Sequence, residues 1–496
     1  MPSAKQLTGA FLVIGIVLRL REYFFDRSLW NDETELVLNI LHHSPAGLMK
    51  PLDDYQVAPV GFLWLEKLAV HFLGNSELSL RLLPLLGGVA SLFLFLALAR
   101  RILRGTAVPI AVGLFAISTP LIYYASEVKP YATDVAVALA IYLVTDALFT
   151  PQIQRGRAIL AALIGSVALW LSFPALFLLA GIGLTALWSA LRQHRRSSLL
   201  WTCLVSAIWA GSFLLLFATC LHAVVGRNHA LIDYWHSAYA PVPPHSASDL
   251  LWYEDAFLGA LSYPCGLALT GIAAVAALIG ANQLRSREFT RLLVLLLPLA
   301  MALLASALHR YPFVGRFILF AVPALLLLIA EGLNTVREST LTLVPALSVL
   351  LIGFLFLNPA IDAARCLIRP QGVEEVRAAI DYIQSHRVPG DVLYCYYSAE
   401  LPLAYYRERG RIAPMEQING IAVRNDWQAY NDDLSRLRGR TRVWVLFSHA
   451  WRGNGADEEM LILNDLDHMG RRLDGMQATG AAAFLYDLRT HGFPAQ

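Results

Sequence analysis

Charged residues are scarce in this 496-residue sequence. Asp, Glu, Lys and Arg together make up 15% of it, hydrophobic residues make up 57%, and the mean hydropathy is +0.53. A soluble domain carries about a quarter charged residues, so this composition excludes an ordinary soluble globular protein. The net charge of +2 does not by itself indicate a partner, and we expect no nucleic acid among the partners.

The sequence also lacks metal-binding cysteine motifs and nucleotide-binding glycine loops. None of the five cysteines has metal-ligand spacing, and Cys203, Cys220 and Cys265 lie in apolar runs, as small core residues do. Cys366 and Cys395 lie in the polar tail, where they either form a disulfide or remain as two free thiols. Without a Gly-rich loop in the tail, a Rossmann-like cofactor domain is disfavoured, and we expect no certain cofactor.

Long apolar runs are what the sequence does contain. A spanning helix needs about 20 apolar residues, and this length predicts a polytopic α-helical membrane protein with about eleven transmembrane helices. We interpret the first run as a retained helix and not as a cleaved signal peptide. The predicted spans are 7–25, 80–99, 106–125, 131–149, 157–171, 174–191, 199–222, 256–281, 291–308, 317–335 and 341–359.

The distribution of arginine predicts the orientation. Short cytoplasmic loops are enriched in Lys and Arg, and with a cytoplasmic N-terminus each predicted inner loop carries at least one Arg. The longer polar segments, 26–79 and 223–255, then lie outside with the C-terminus. We therefore predict a membrane domain over 1–360 with its N-terminus in the cytoplasm.

Residues 361–496 have a different character. "GVEEVRAAIDYIQSH" predicts an amphipathic helix, and "DVLYCYY", "RVWVLFSH" and "AAAFLYDL" predict strands. The tail is predicted to be a small periplasmic α/β domain.

An acidic pair, Asp32 and Glu33, stands in "RSLWNDETELVLNI", directly after the first apolar run. A carboxylate there could remove a proton from an incoming hydroxyl group. The alternative is a helix N-terminus, with Asn31 or Asp32 as the cap and Glu35 in the first turn. Spacing alone does not separate these two readings.

Two further stretches place cations at the predicted outer ends of helices. In "YYASEVKPYATDVAV" Pro130 begins a helix whose N-terminus favours a phosphate group, and Lys129 is a counter-charge. In "HRYPFVGRFILFAVP" Arg316 stands at the outer end of the tenth predicted helix, and Arg19 lies in the outer third of the first. Interfacial anchoring or snorkelling would also explain these cations, but charge so deep in a membrane is costly enough to indicate a partner.

The stretch "DDYQVAPVGFLWLEKL" raises the question of a metal ion. Asp53 and Asp54, together with Glu33, could hold a divalent cation, but no His/Cys cluster supports such a site. A divalent metal ion stays possible, and we assign no metal ligand.

Together these stretches resemble one family. "LWNDE", "YQVAPVGFLWLEKL", "SEVKPYATD" and "YPFVGRFILFAVPALLLLIAEGL", in this order, are similar to the bacterial branch of the protein-mannosyltransferase-like glycosyltransferases (family 39-like), within the GT-C superfamily. The resemblance covers roughly 5–360, and the Asp-Glu pair is its most specific mark.

The resemblance implies inverting transfer of a sugar from a polyprenyl-phosphate donor to a glycan, lipid or protein acceptor outside the cytoplasm. It implies that Asp32 acts as the base or orients the acceptor and that Glu33 is the second acid. The remaining assignments are Lys129, Arg316 and Arg19 to the donor phosphate, and Glu127, Tyr131, Asp134 and Gln56 to substrate binding. Lys129 stands where the family more often has Arg.

Two other functions remain as alternatives. A polytopic flippase or transporter of a lipid-linked glycan would share the membrane domain, although transporters usually place binding groups near the midplane and within repeats. A non-catalytic assembly partner would use only the tail. The sequence identifies neither the sugar nor the acceptor.

Overall fold

The computed structural model describes residues 3–150, 152–225, 229–340, 345–424, 426–453 and 455–489. Most of this part of the chain is helical up to residue 368, and mixed helix and strand afterwards. Its helices are α1 Ala4–Phe24, α2 Asn31–His42, α3 Val60–Leu73, α4 Glu77–Leu80, α5 Leu82–Ile102, α6 Ala107–Ile117, α7 Thr119–Tyr123, α8 Tyr131–Thr145, α9 Arg155–Leu171, α10 Ala175–Arg192, α11 Arg196–Leu216, α12 His222–Val225, α13 His229–Tyr234, α14 Ala247–Ser262, α15 Thr270–Ala307, α16 Val322–Thr340, α17 Pro345–Ile368, α18 Val376–His386, α19 Glu400–Glu408, α20 Trp427–Ser435 and α21 Glu458–Met469.

The strands all follow α18. They are β1 Val392–Cys395, β2 Glu416–Asn419, β3 Val443–Ser448, β4 Arg452–Gly453, β5 Ala456–Asp457, β6 Arg471–Ala478 and β7 Ala481–Asp487.

Fewer helices than predicted are clear candidates for spanning a membrane. In the described part of the chain seven helical segments are long and apolar enough, or eight if α6 and the segment Thr119–Ser126, bent by 56° against it, form one broken span. The predicted count of eleven is therefore not reproduced. Helices occur at 7–25 and 157–171, but α1 carries charges near both ends and α9 has only 17 residues, which is short for a span.

The prediction was wrong for the span 256–281. The helix α14 ends at Ser262, and α15 begins only at Thr270. Pro264 and Gly266, which has a φ of +79°, interrupt the apolar run, because proline lacks an amide donor and glycine adopts the left-handed region freely. The segment 285–291, an inner loop in the predicted topology, lies within the bounds of α15, but two helices meet there across a kink at Glu288, whose backbone is not helical.

Small residues let the membrane helices approach closely. A Cβ added at Gly280 of α15 would lie 1.9 Å from the Leu328 carbonyl oxygen, and one at Gly332 of α16 would lie 1.8 Å from the Ala276 carbonyl oxygen. The backbones of the two helices are thus in direct contact at these glycines. Glycine and alanine at helix interfaces serve this purpose in membranes, where hydrophobicity does not drive association.

The chain divides into two compact units. The first comprises 1–25 and 43–370, and the second comprises 26–42 and 371–496. This division differs from the predicted one in two places, because α17 continues past 360 and because 26–42, with α2, groups with the tail. The predicted outer segment 26–79 is therefore not one structural piece.

The second unit contains a five-stranded sheet in the order β2-β1-β3-β7-β6. β1 is parallel to β2 and β3, whereas β7 is antiparallel to β3 and β6. The central strands β1, β3 and β7 are buried along their whole length, which explains their nearly continuous apolar sequences. The helix and three strands predicted for the tail are present, together with β2, β6 and the short β4–β5 pair.

Candidate functional site

The first unit breaks its helical pattern between residues 118 and 130, and the predicted site residues Glu127 and Lys129 lie there. α7 is followed by a 3-10 turn, Tyr124–Ser126, and α8 begins after Pro130. Ala125 packs against α5, where a Cβ on Gly88 would lie 2.5 Å from the Ala125 Cβ. Residues 124–132 are buried, so Glu127, Lys129 and Tyr131 are held inside the protein.

Arg316 lies among aromatic rings. Its guanidinium carbon is 5.6 Å from the centroid of the Tyr131 ring and 5.8 Å from that of Phe317. The Tyr124 ring lies 5.1 Å from that of Tyr131, and the hydroxyls of Tyr124 and Tyr263 share a hydrogen bond. Aromatic faces stabilise a cation and hold it in place, so the guanidinium group has a defined position.

Glu127 belongs to the same cluster. It is fully buried, and both its carboxylate and the Arg316 guanidinium act electrostatically on the hydroxyls of Tyr124 and Tyr263. Burial, together with the negative charge of Glu127, raises the pKa of Tyr263. Tyr263 is therefore neutral over the physiological pH range and can donate a hydrogen bond.

Lys129 and Gln56 form a second part of the site. The Lys129 Nζ donates a hydrogen bond of 2.7 Å to the Gln56 Oε1. Gln56 lines a narrow, largely apolar cavity of about 30 Å³ between the 48–60 loop, the turn from α9 to α10 and the 216–224 segment. Lys50 and Trp170 line the same cavity, which therefore combines apolar walls with a cation.

Arg19 lies on α1 beside this region. Its side chain is 0% exposed and donates hydrogen bonds to the carbonyl oxygens of Gly15 (3.0 Å) and Ala116 (3.2 Å). Its Nε and Nη2 have no hydrogen-bond partner among the described residues. A Cβ on Gly88 would lie 3.6 Å from the Arg19 Cδ, so Arg19 and Ala125 flank the same glycine.

Asp134 lies on α8, about one turn after Tyr131. It is 5% exposed, it interacts with Ser172 in the turn between α9 and α10, and its charge acts on the hydroxyl of Tyr311. The Tyr311 hydroxyl donates to the Phe317 carbonyl oxygen at 2.7 Å. Asp134 is thus linked to the Arg316 cluster through Tyr311 and Phe317.

Asp32 and Glu33 are in the second unit, at the start of α2. The Trp30 carbonyl oxygen accepts the first helical hydrogen bond, from the Thr34 amide, so Trp30 is the N-cap and the acids occupy the first turn. Glu33 is fully buried, whereas Asp32 is partly exposed. Both acids lie in the first turn of α2, at the positive end of the helix dipole. The predicted alternative, a cap at Asn31 or Asp32, is therefore displaced by one or two residues.

Comparisons with known proteins agree on one architecture. The archaeal oligosaccharyltransferase AglB from Archaeoglobus fulgidus, in complex with an inhibitory peptide and a dolichol-phosphate, aligns over 99% of this chain and 75% of its own, with a TM-score of 0.54 and 12% identity. The chain has the GT-C fold. A second structure of the Archaeoglobus fulgidus oligosaccharyltransferase, with Zn and sulfate, aligns over 98% of this chain and 74% of its own, with a TM-score of 0.50 and 12% identity.

ArnT from Cupriavidus metallidurans, bound to undecaprenyl phosphate, aligns over 97% of both chains with a TM-score of 0.49 and 13% identity. No family profile matches the sequence, and no curated protein matches it. The likeness to the two oligosaccharyltransferase structures shows the fold and leaves the reaction to be argued from the residues. The predicted GT-C fold and multi-pass membrane character are confirmed.

In this GT-C fold, no group of three or more His, Cys, Asp or Glu residues that could hold a metal ion occurs among the described residues. His43 Nε2 instead lies 3.1 Å from Asp53 Oδ2. Asp53, Asp54 and Glu33, which the sequence offered for a divalent cation, therefore do not form such a group among the described residues. Cys366 and Cys395, both described, form no disulfide.

The structure also places near Arg316 two residues that were not identified from the sequence. Tyr124 and Tyr263 flank Arg316 together with the predicted Tyr131. Tyr124 stands two residues before the "SEVKP" stretch, which was a usable signal. Tyr263 comes from the distant junction between α14 and α15, and its position depends on the tertiary structure.

Proposed function

We propose that this protein is an inverting glycosyltransferase that moves a sugar from a polyprenyl-phosphate-linked donor to an acceptor on the outer, periplasmic side of a bacterial inner membrane. One observation carries the proposal. Within a GT-C fold, the buried Lys129 is hydrogen-bonded to Gln56, which lines an apolar cavity, and a cation beside apolar walls is the chemistry that a lipid-linked phosphate requires. Dolichol-phosphate in the AglB structure supports a carrier of this class.

The donor phosphate is assigned to the cations of the first unit. Arg316 offers a planar fork of donors that is held between aromatic rings, and such a fork matches phosphate oxygens. Lys129 adds a point charge beside Gln56 of the cavity wall, and Arg19 adds a buried charge. As the bond between the sugar and the phosphate breaks, negative charge grows on the leaving polyprenyl phosphate, and fixed cations stabilise this charge.

The acceptor is assigned to Asp32. In this step the acceptor oxygen attacks the anomeric carbon, the bond from that carbon to the phosphate oxygen breaks, and the acceptor proton moves to the Asp32 carboxylate. Attack opposite the leaving group inverts the configuration. Glu33 assists as the second acid, while Glu127, Tyr131, Asp134 and Gln56 bind the sugar or orient the cations.

The test is donor turnover by the purified protein in lipid nanodiscs. A panel of polyprenyl-phosphate sugars is offered with membrane extract as the source of acceptor, and wild type is compared with Asp32→Asn. Asp53→Asn is the matched control, because Asp53 is an acid of the loop before α3 and its side chain is 74% exposed. We expect one donor to be consumed by wild type and by the control, and not by Asp32→Asn.

Other outcomes would contradict the proposal. A donor that crosses the bilayer without losing its sugar would identify a flippase. A second enzyme that uses the same acceptor would first show that the extract contains it. Donor binding without turnover in all three proteins would then favour an assembly partner. Equal turnover by wild type and Asp32→Asn would remove Asp32 from the reaction.

A further inference from the structure

The backbone of the residues that precede α2 is held by hydrogen bonds to side chains in the C-terminal part of the second unit. Three of the four backbone amides from 28 to 31 donate to such side chains, so the chain just before Asp32 has little freedom. The contacts are Ser28 amide to Glu375 Oε2 (3.4 Å), Leu29 amide to Tyr406 hydroxyl (3.1 Å) and Asn31 amide to Glu374 Oε2 (3.0 Å).

Glu374 is the central member of this set. Its side chain is 3% exposed, and its Oε2 accepts both the Asn31 amide and the Ser448 hydroxyl (3.3 Å). Its Oε1 lies 2.5 Å from the Nδ1 of His449. A buried carboxylate needs such partners, and here one partner is an amide in the first turn of α2, which no helical carbonyl can satisfy.

The backbone around Glu374 and His449 is held by the turn between β6 and β7. The Glu375 amide donates to the Thr479 carbonyl oxygen (2.7 Å), and the His449 amide donates to the Gly480 carbonyl oxygen (3.2 Å). Gly480 has a φ of +65°, and a Cβ there would lie 2.3 Å from the Val373 carbonyl oxygen. One turn of the sheet therefore fixes both members of the pair.

We propose that Glu374, with His449 as its partner, is a positioning residue for Asp32. The proposal rests on the proposed function, in which Asp32 is the base. Glu374 holds the amide of Asn31, the residue that precedes Asp32, and therefore sets the direction in which α2 presents the base. A loss of this contact shifts Asp32 relative to the acceptor, and a misplacement of about 1 Å costs on the order of 100-fold in rate.

The pair also gives the reaction a pH limit. The groups that act on His449 are the carboxylates of Glu374 and Glu35 and the guanidinium of Arg424, and the Trp30 ring lies 6.2 Å away. The hydrogen bond to Glu374 raises the pKa of His449 above its usual value, burial and Arg424 oppose this, and Glu35 adds to it. Because the pKa of His449 is raised in the folded state, the ion pair between His449 and Glu374 is fully formed below a pH of about 6.5. The pair is lost as the pH rises through the raised pKa of His449.

The experiment compares kcat, the KM for acceptor and the affinity for polyprenyl phosphate in full-length protein. Glu374→Gln keeps an oxygen for the Asn31 amide but loses the charge, whereas Glu374→Ala loses both, and His449→Gln removes only the titrating partner. We expect kcat to fall by about 100-fold in Glu374→Ala and less in Glu374→Gln, with carrier affinity unchanged. The alkaline decline of kcat should disappear in His449→Gln.

Glu408→Gln is the matched control. Glu408 Oε1 lies 2.9 Å from the Nε2 of His42, so it makes the same kind of pair at the opposite end of α2, away from Asp32. Its kcat and pH profile should equal those of wild type. An equal loss in Glu408→Gln would show that general loosening of α2, and not positioning at its N-terminus, is responsible, and would overturn the proposal.

The two proposals fail in different ways. If wild type transfers no sugar, the proposed function fails. If wild type transfers sugar and Asp32→Asn does not, but Glu374→Ala and His449→Gln keep the wild-type kcat and pH profile, only the positioning role fails. Should Glu374→Ala not fold, His449→Gln carries the test, because His449 is half-exposed and its loss leaves the core intact.

Discussion

Arg19 and Arg316 are two cations of the first unit that meet different surroundings. Arg19 is fully enclosed and bonded to two backbone carbonyl oxygens, whereas Arg316 is partly exposed and lies between aromatic rings. A buried cation in a membrane protein is costly unless it is compensated. We infer that Arg19 contributes a fixed charge and that Arg316 is the cation that reaches a ligand directly.

At this scale we predict that Arg316→Gln weakens the binding of polyprenyl phosphate by about 10- to 100-fold, since hydrogen bonds to charged groups contribute about 1.5–3 kcal/mol. Arg316→Lys should give an intermediate loss, because it keeps the charge and not the fork. The measurement is a binding titration in nanodiscs. Arg310→Gln, at an exposed position in the same loop, should bind as wild type does, and an equal loss in both variants would argue against a specific role for Arg316.

Among the helices, the contact between α15 and α16 depends on glycine. The Gly280 and Gly332 positions face carbonyl oxygens of the partner helix with no room for a side chain. α16 is also directly preceded by the turn that carries Arg316, Gly315–Ala321. The packing of these two helices therefore fixes the position of the helix that follows the site.

We predict that Gly280→Ala lowers the free energy of unfolding by about 1–3 kcal/mol, the usual cost of overpacking, because backbone atoms cannot yield as a flexible side chain would. Thermal unfolding of purified protein in detergent measures this. Gly271→Ala is the control on the same helix, where an added Cβ meets no atom within 4 Å. A Gly280→Ala protein as stable as the control would show that the helices can separate without cost.

For the whole molecule, the proposed orientation makes a distinct prediction. Ser197 stands in the arginine-rich 192–197 segment, whereas Ser385 stands in the α/β unit, and both are exposed. If the arginine-rich loops are cytoplasmic, Ser385→Cys in intact cells without an outer membrane should react with a membrane-impermeant maleimide. Ser197→Cys should react only after lysis.

Labelling of wild type gives the background from the native cysteines, of which Cys203 is exposed. Reaction of Ser197→Cys before lysis would show that the topology is opposite to the proposed one. Transfer would then occur on the other side of the membrane. Reaction of both variants before lysis would contradict a membrane between them.

Part of the site could be predicted because its signals are local. "SEVKPY" combines acid, cation and a helix-starting proline within six residues, and the structure does bury Glu127, Lys129 and Tyr131 at the start of α8. The break at residues 263–269 was missed, since a hydropathy window averages over Pro264 and Gly266 and hides their backbone effect. Glu374 and His449 were missed because their contact joins residues that are 75 positions apart.

The sequence by itself determined that this is a membrane protein with a separate α/β tail, because the length of apolar runs and the period of strands are local properties of the chain. Its motifs also indicated the GT-C fold. Only the tertiary structure decided that residues 26–42 belong with the tail and that Tyr263 lies with Tyr124 near Arg316. Those placements depend on contacts between distant segments, which form when the chain packs and leave no pattern in any short stretch of sequence.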